Sequence, residues 1–98
     1  MIVSYKNKGT KDIAEGANSK GARNLLPVSL HQNARKKLAF IDSIGGIFDL
    51  RSAPGGYGWK ILTGDRSGQH SIRINNQYRI CFNLSGKECE DVEIVDYH

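Results

Sequence analysis

Between Ile72 and Phe82 the large apolar residues fall on every second position, on both sides of a short polar break: Ile72 and Ile74, then Tyr78, Ile80 and Phe82. Alternation of period two is the mark of a half-buried strand. The break, Asn75-Asn76-Gln77, has the length of a hairpin connection. One register keeps all of these side chains on one face: Ile74 opposite Tyr78 and Ile72 opposite Ile80. The same register sets Arg73 directly opposite Arg79 on the other face. Like charges facing each other across a sheet are unfavourable by a fraction of a kcal/mol, on the order of 0.2–1. The pairing therefore predicts an anionic ligand over that face.

More strands follow the same logic. Trp59–Leu62 and Asp91–Tyr97 read as strands, and Ile2–Tyr5 as a short first one. Ahead of the hairpin, Leu30, Ala34, Leu38 and Ile41 recur at helical spacing after Pro27, which suits a first helical turn, with Arg35, Lys36 and Lys37 expected to face out. Gly45-Gly46 ends that helix, and Ile47–Leu50 reads as a short apolar turn. A short helix is expected around Thr10–Glu15, a loop over Gly16–Gly21, and an exposed, mobile loop over Ser52–Gly58. Helices first and strands later predict an α+β fold: a small, mainly antiparallel sheet with the N-terminal helices packed on one face, as a single domain over residues 1–98.

The charge is uneven. Residues 1–40 carry eight Lys/Arg against two Asp/Glu, residues 41–86 five against three, and residues 87–98 one against five. A basic body of this kind favours a polyanion or an acidic partner. No apolar run approaches the ~20 residues that span a bilayer, and Met1–Lys6 is too short and polar for a secretory signal, so a cytoplasmic protein with no membrane partner is expected. Cys81, in a strand, and Cys89, in a charged loop, have no partners at metal-ligand spacing and read as free thiols. No metal or cofactor is called for.

Candidate chemistry gathers late in the chain. Thr63–Gly68 is a tight connection whose tip presents Arg66; it lacks the Gly-Lys-Ser/Thr ending of a nucleotide loop. His70 shares the parity of Ile72 and Ile74, the pattern of a core histidine more than of a catalyst, and is also a candidate RNA contact. His31 reads as a surface residue of the helix. The terminal Asp96-Tyr97-His98 joins an acid, a phenol and an imidazole at the end of a strand. Several arginines with a Lys, a Tyr, an Asp and a His suit RNA cleavage: one group takes the proton of the 2′-OH, cations stabilise charge on the phosphate, and another group protonates the leaving oxygen. Duplex DNA lacks the 2′-OH and does not suit such a set.

The run from Gly64-Asp65-Arg66 through Gln77-Tyr78-Arg79-Ile80-Cys81-Phe82, with the ending Val92-Glu93-Ile94-Val95-Asp96-Tyr97-His98, resembles the HigB toxins of the RelE/ParE superfamily. Ile2–Gly9 and Leu50–Gly55 are in keeping with it. The resemblance implies a microbial-RNase-like fold and the toxin of a type II toxin–antitoxin pair. It implies cleavage of mRNA on the ribosome, neutralisation by a HigA-type helix-turn-helix antitoxin, and contact with operator DNA only through that complex. It assigns phosphate stabilisation to Arg79, a catalytic ending to Asp96, Tyr97 and His98, and RNA phosphates to Arg66 and Arg73. Tyr78 replaces the usual Trp. Lys60 and Thr63 stand where better-known members carry a His and a Lys. Lys60 then serves as a cation and a slow toxin is expected, with a gyrase-inhibiting ParE-like toxin or a weakly catalytic ribosome- or RNA-binding toxin as alternatives.

Overall fold

Four strands, β1 (Lys60–Ile61), β2 (His70–Arg73), β3 (Tyr78–Ser85) and β4 (Glu88–Asp96), pair antiparallel in the order β1-β2-β3-β4. This is the arrangement in a computed structural model that describes residues 1–97. Four helices precede them: α1 (Lys8–Ala14), α2 (Lys20–Leu25), α3 (His31–Ser43) and α4 (Ile47–Arg51). The fold is the expected α+β. Ile72 pairs with Ile80 and Arg73 with Arg79, and the Ile74 N–H donates to the Tyr78 carbonyl at 2.9 Å.

The core lies between one face of the sheet and the helices. Ile72, Ile80, Phe82, Val92 and Ile94 pack with Ile13, Leu26, Ala34, Leu38, Ile41 and Leu50. Each such large side chain contributes roughly 1.5–3 kcal/mol by leaving water. Asn7 caps α1, its side chain accepting from the Thr10 N–H at 2.9 Å. The Thr10 hydroxyl in turn accepts from the Ile94 N–H at 3.1 Å, which fastens α1 to β4.

The expected first strand reaches the sheet in altered form. Ile2 and Tyr5 make single parallel bridges to Cys89 and Val92, not a continuous ladder. The reason lies in β4, where Cys81 pairs with Glu93 but Asn83 with Glu90, so β4 carries an extra residue. Asp91 takes a left-handed φ of 52°, and its N–H turns out to the Ser4 hydroxyl at 2.8 Å. Asp tolerates this region better than most residues, and the bulge aims β4 at the N-terminal segment. The edge of β4 is thereby covered.

Other expectations need correction. Gly16–Gly21 is not loop throughout, because Ser19 caps α2 through the Ala22 N–H at 3.0 Å. Gly21 belongs to that helix and lies against Gly9: a Cβ on Gly9 would stand 2.9 Å from the Gly21 carbonyl oxygen. What reads as a chain breaker is a close helix crossing. His31 is buried, its Nε2 2.8 Å from the Leu26 carbonyl that closes α2. Lys37 is buried too, since it falls three residues after Ala34 and four before Ile41 on the apolar stripe. Cys89 lies in β4 with its thiol 3.7 Å from the Ile41 carbonyl. Both cysteines are free and buried. Ile47–Arg51 closes into α4, and the Ser52–Gly58 segment holds a 3₁₀ turn at Gly55–Tyr57.

Candidate active site on the cationic face of the sheet

Residues one step out of phase with the core line the opposite face. Lys60, Ser71, Cys81 and Glu93 form one cross-strand row, and Arg73, Arg79 and Val95 the next. Arg79 is the most tightly held cation. Its Nε donates to the Ser71 hydroxyl at 2.8 Å, and its terminal NH2 donates to the Gly58 carbonyl. Gly58 has φ 56°, the left-handed region that favours glycine. A Cβ there would meet the Arg73 Cβ at 3.3 Å and the Arg79 terminal nitrogen at 3.7 Å, so both arginines border this one glycine. Burial pulls the Arg79 pKa down, and Arg73 adds to the effect while Tyr97 opposes it. The guanidinium remains charged at neutral pH.

The chain end is tied down as far as Tyr97. The Tyr97 N–H donates to the Gln77 carbonyl at 2.7 Å, one step past the end of β4. Its ring lies under two cations, with Lys60 Nζ 4.9 Å and the Arg79 guanidinium carbon 5.7 Å from the centroid. Cation–π contacts of this kind contribute about 0.5–2 kcal/mol. The Asp96 Oδ2 accepts from the Gln77 amide at 3.0 Å. His98 lies outside the described residues.

Arg66 reaches the same face from the Gly64–Arg66 turn. Its NH1 donates to Glu93 Oε1 at 2.7 Å and to Gln69 Oε1 at 3.1 Å. The hydrogen bond to Glu93 raises its pKa. Arg73 is exposed beside Arg79. The arrangement brings Lys60 and Arg79 over one phenol, sets Arg73 opposite Arg79, and adds Arg66 bonded to Glu93. Such a surface can bind the phosphates of a single strand and stabilise charge growing on one of them.

His70 is placed differently. It is 8% exposed, on the core side of β2, stacked between Trp59 at 6.0 Å and Phe82 at 5.8 Å. The Trp59 indole N–H donates to its Nδ1 at 3.1 Å, and burial lowers its pKa. The ring is a neutral member of the core with no side facing the cations. Thr63 precedes the Gly64–Arg66 turn and makes no side-chain capping bond to it. Among the described residues, no cluster of three His, Cys, Asp or Glu side chains can hold a metal. No helix among them is long and apolar enough to cross a membrane.

Sequence reasoning did not single out Ser71, Gly58 or Glu93. Ser71 and Glu93 share the parity of Arg73 and Tyr97, so the alternation that placed the arginines also marks them. Gly58 carried no such signal, because its role is a carbonyl direction.

The fold is that of the RelE-type toxins. A mutant of YafQ from E. coli superposes with a TM-score of 0.61 at 10% identity, over 98% of this chain and 91% of that one. A chain of the YoeB–YefM complex from Staphylococcus aureus does so at 0.56 and 14%, over 100% and 98%. Sequence narrows the class. The profile of the HigB-like toxins, described as RelE-like toxins of type II toxin–antitoxin systems of the HigB kind, matches residues 4–98. Toxin HigB-1 of Vibrio cholerae is 34% identical over 82 residues, covering 84% of this chain and 82% of its own. The endoribonuclease HigB of Proteus vulgaris is 31% identical over 98 residues, the whole of both chains. This chain belongs to the HigB-like family of RelE/ParE-superfamily toxins.

Proposed function

We propose that this toxin is an mRNA endonuclease that acts on the translating ribosome, in the cytoplasm, and is neutralised by a HigA-type helix-turn-helix antitoxin. The observation that carries the reading is the Tyr97 phenol beneath Lys60 and Arg79, with Arg73 paired to Arg79. It joins a proton-transfer group to the cations that a phosphodiester needs. Arg79, held by Ser71 and Gly58, stabilises charge on the scissile phosphate. Arg73 and Arg66 hold neighbouring phosphates. Tyr97, with His98 beyond it, moves protons to and from the 2′-OH and the leaving 5′-oxygen. Asp96 holds the chain end in register through Gln77. Lys60 lies over the phenol and serves there as a cation, not as the base, which is in keeping with slow cleavage.

The test is expression of the wild type, Arg79→Ala and a deletion of His98 in growing bacteria, with mRNA 5′ ends mapped. The wild type is expected to cut at codon-linked positions. Arg79→Ala should lower cutting by at least about 100-fold, the usual cost of one charge-stabilising donor. Growth arrest by all three proteins without such cuts would sink the nuclease reading, and double-strand DNA breaks would point to gyrase.

A further inference from the structure

Among the described residues, Lys37 is a buried cation without an anion. It lies on α3, is 8% exposed, and its Nζ stands 3.3 Å from the Ile74 carbonyl oxygen and 5.2 Å from the centroid of the Tyr57 ring. The carbonyl does not depend on it, since the Asn33 amide donates to the same oxygen at a shorter 3.0 Å. An ammonium carries three donors, and one long bond leaves two free for a ligand. Burial lowers its pKa, and the charges acting on it are cations, Arg73 first and then Lys36. A buried charge facing like charges is costly unless something compensates it. Lys37 reaches the carbonyl of the residue that follows Arg73, and Gly58, next to Tyr57, borders the Arg73 Cβ, so Lys37 and Arg73 flank the same hairpin end. It lies where α3, the Gly55–Tyr57 turn and the hairpin end meet.

We propose that Lys37 and Arg73, backed by the Tyr57 ring, form a second phosphate site that takes a backbone phosphate of the bound RNA strand away from the scissile bond. The inference rests on the nuclease reading and adds to it the direction in which the strand leaves the site. The Tyr57 ring faces the Lys37 ammonium and is itself held by a T-shaped contact with Phe40 at 5.2 Å between centroids. The site recognises phosphate and not base, so its contribution is the same for every sequence.

Binding of a 2′-O-methyl oligoribonucleotide, which lacks the attacking hydroxyl, is measured across a salt series for the wild type, Lys37→Met, Lys37→Arg and Arg79→Ala. Each single-strand phosphate contact contributes about 0.7 to the slope of log K against log salt. Lys37→Met is expected to lower the slope by about that much with thermal stability kept or raised, and Lys37→Arg to restore it. Should the methionine variant fail to fold, Lys37→Gln takes its place in the same titration. An unchanged slope for Lys37→Met beside a lowered one for Arg79→Ala would make Lys37 a structural residue and overturn this inference alone. Absence of binding by the wild type at low salt would overturn this inference; the nuclease reading fails separately, by the absence of codon-linked cuts in growing bacteria.

Discussion

The two faces of the sheet are built from the same strands, one residue out of phase, and answer to different demands. On one face Ile72, Ile80, Phe82 and Ile94 are fully or almost fully buried under the helices. On the other, the Arg73–Arg79 pair sets like charges in register, next to Lys60 and Tyr97. The first face stabilises the fold by roughly 1.5–3 kcal/mol per large side chain. The second works against it by a few tenths of a kcal/mol per like-charge pair. A small sheet tolerates a repulsive face because apolar burial on the other side outweighs the repulsion. Function and stability are thus separated by the pleat of the strand.

Substitutions on each face test that separation. The largest effect is expected for Phe82→Ala, a cavity in the middle of the core that costs about 3–5 kcal/mol in urea unfolding. The cleavage rate per folded molecule should stay near that of the wild type. Tyr97→Phe keeps the ring beneath Lys60 and Arg79 and removes only the hydroxyl. Cleavage on programmed ribosomes should fall by about 100-fold or more with the unfolding midpoint unchanged; an equal rate would leave the phenol a packing group.

Gly58→Ala probes the join between the faces. The left-handed φ of 56° and the 3.3 Å approach to Arg73 both oppose a Cβ. A stability loss of about 1–2 kcal/mol is expected, with a larger drop in cleavage because the carbonyl that holds Arg79 shifts. The smallest effect is in pH. The lowered His70 pKa means that the unfolded chain, with its ordinary value of 6.5, binds the proton first. This contribution to stability is full above pH 6.5 and is lost as pH falls from there toward the folded value. Protonation also removes the acceptor of the Trp59 N–H. In chemical unfolding at several pH values, His70→Phe should flatten this part of the profile; an unchanged slope would show that His70 is not its source.

Much of this organisation is legible along the chain where a residue and its neighbours share one period. The hairpin register, the facing arginines and the α3 stripe all follow from spacing. Residue type and spacing disagree at Lys37 and Cys89, which carry or adjoin charge yet occupy core positions. His31 was hidden for another reason. Its partner is a carbonyl five residues back, exposed by the end of α2, and no periodicity announces that. Gly9 and Gly21 look like breakers because a sequence does not show that two helices cross at them.

By itself the sequence determined which side chains share a face, because a strand repeats every two residues and a helix every 3.6. From that come the fold class, the core of the hairpin and the pair Arg73 and Arg79. Only the tertiary structure decided which of those side chains meet. Tyr97 comes under Lys60 from strands that are not neighbours in the sheet, and Arg79 is aimed by a carbonyl at Gly58 and a hydroxyl at Ser71. Arg66 is held by Glu93, and Lys37 is brought to the carbonyl of Ile74, next to Arg73, by the packing of α3. These contacts depend on distances between elements far apart in the chain. Close packing of the whole core sets those distances, and no local pattern encodes them.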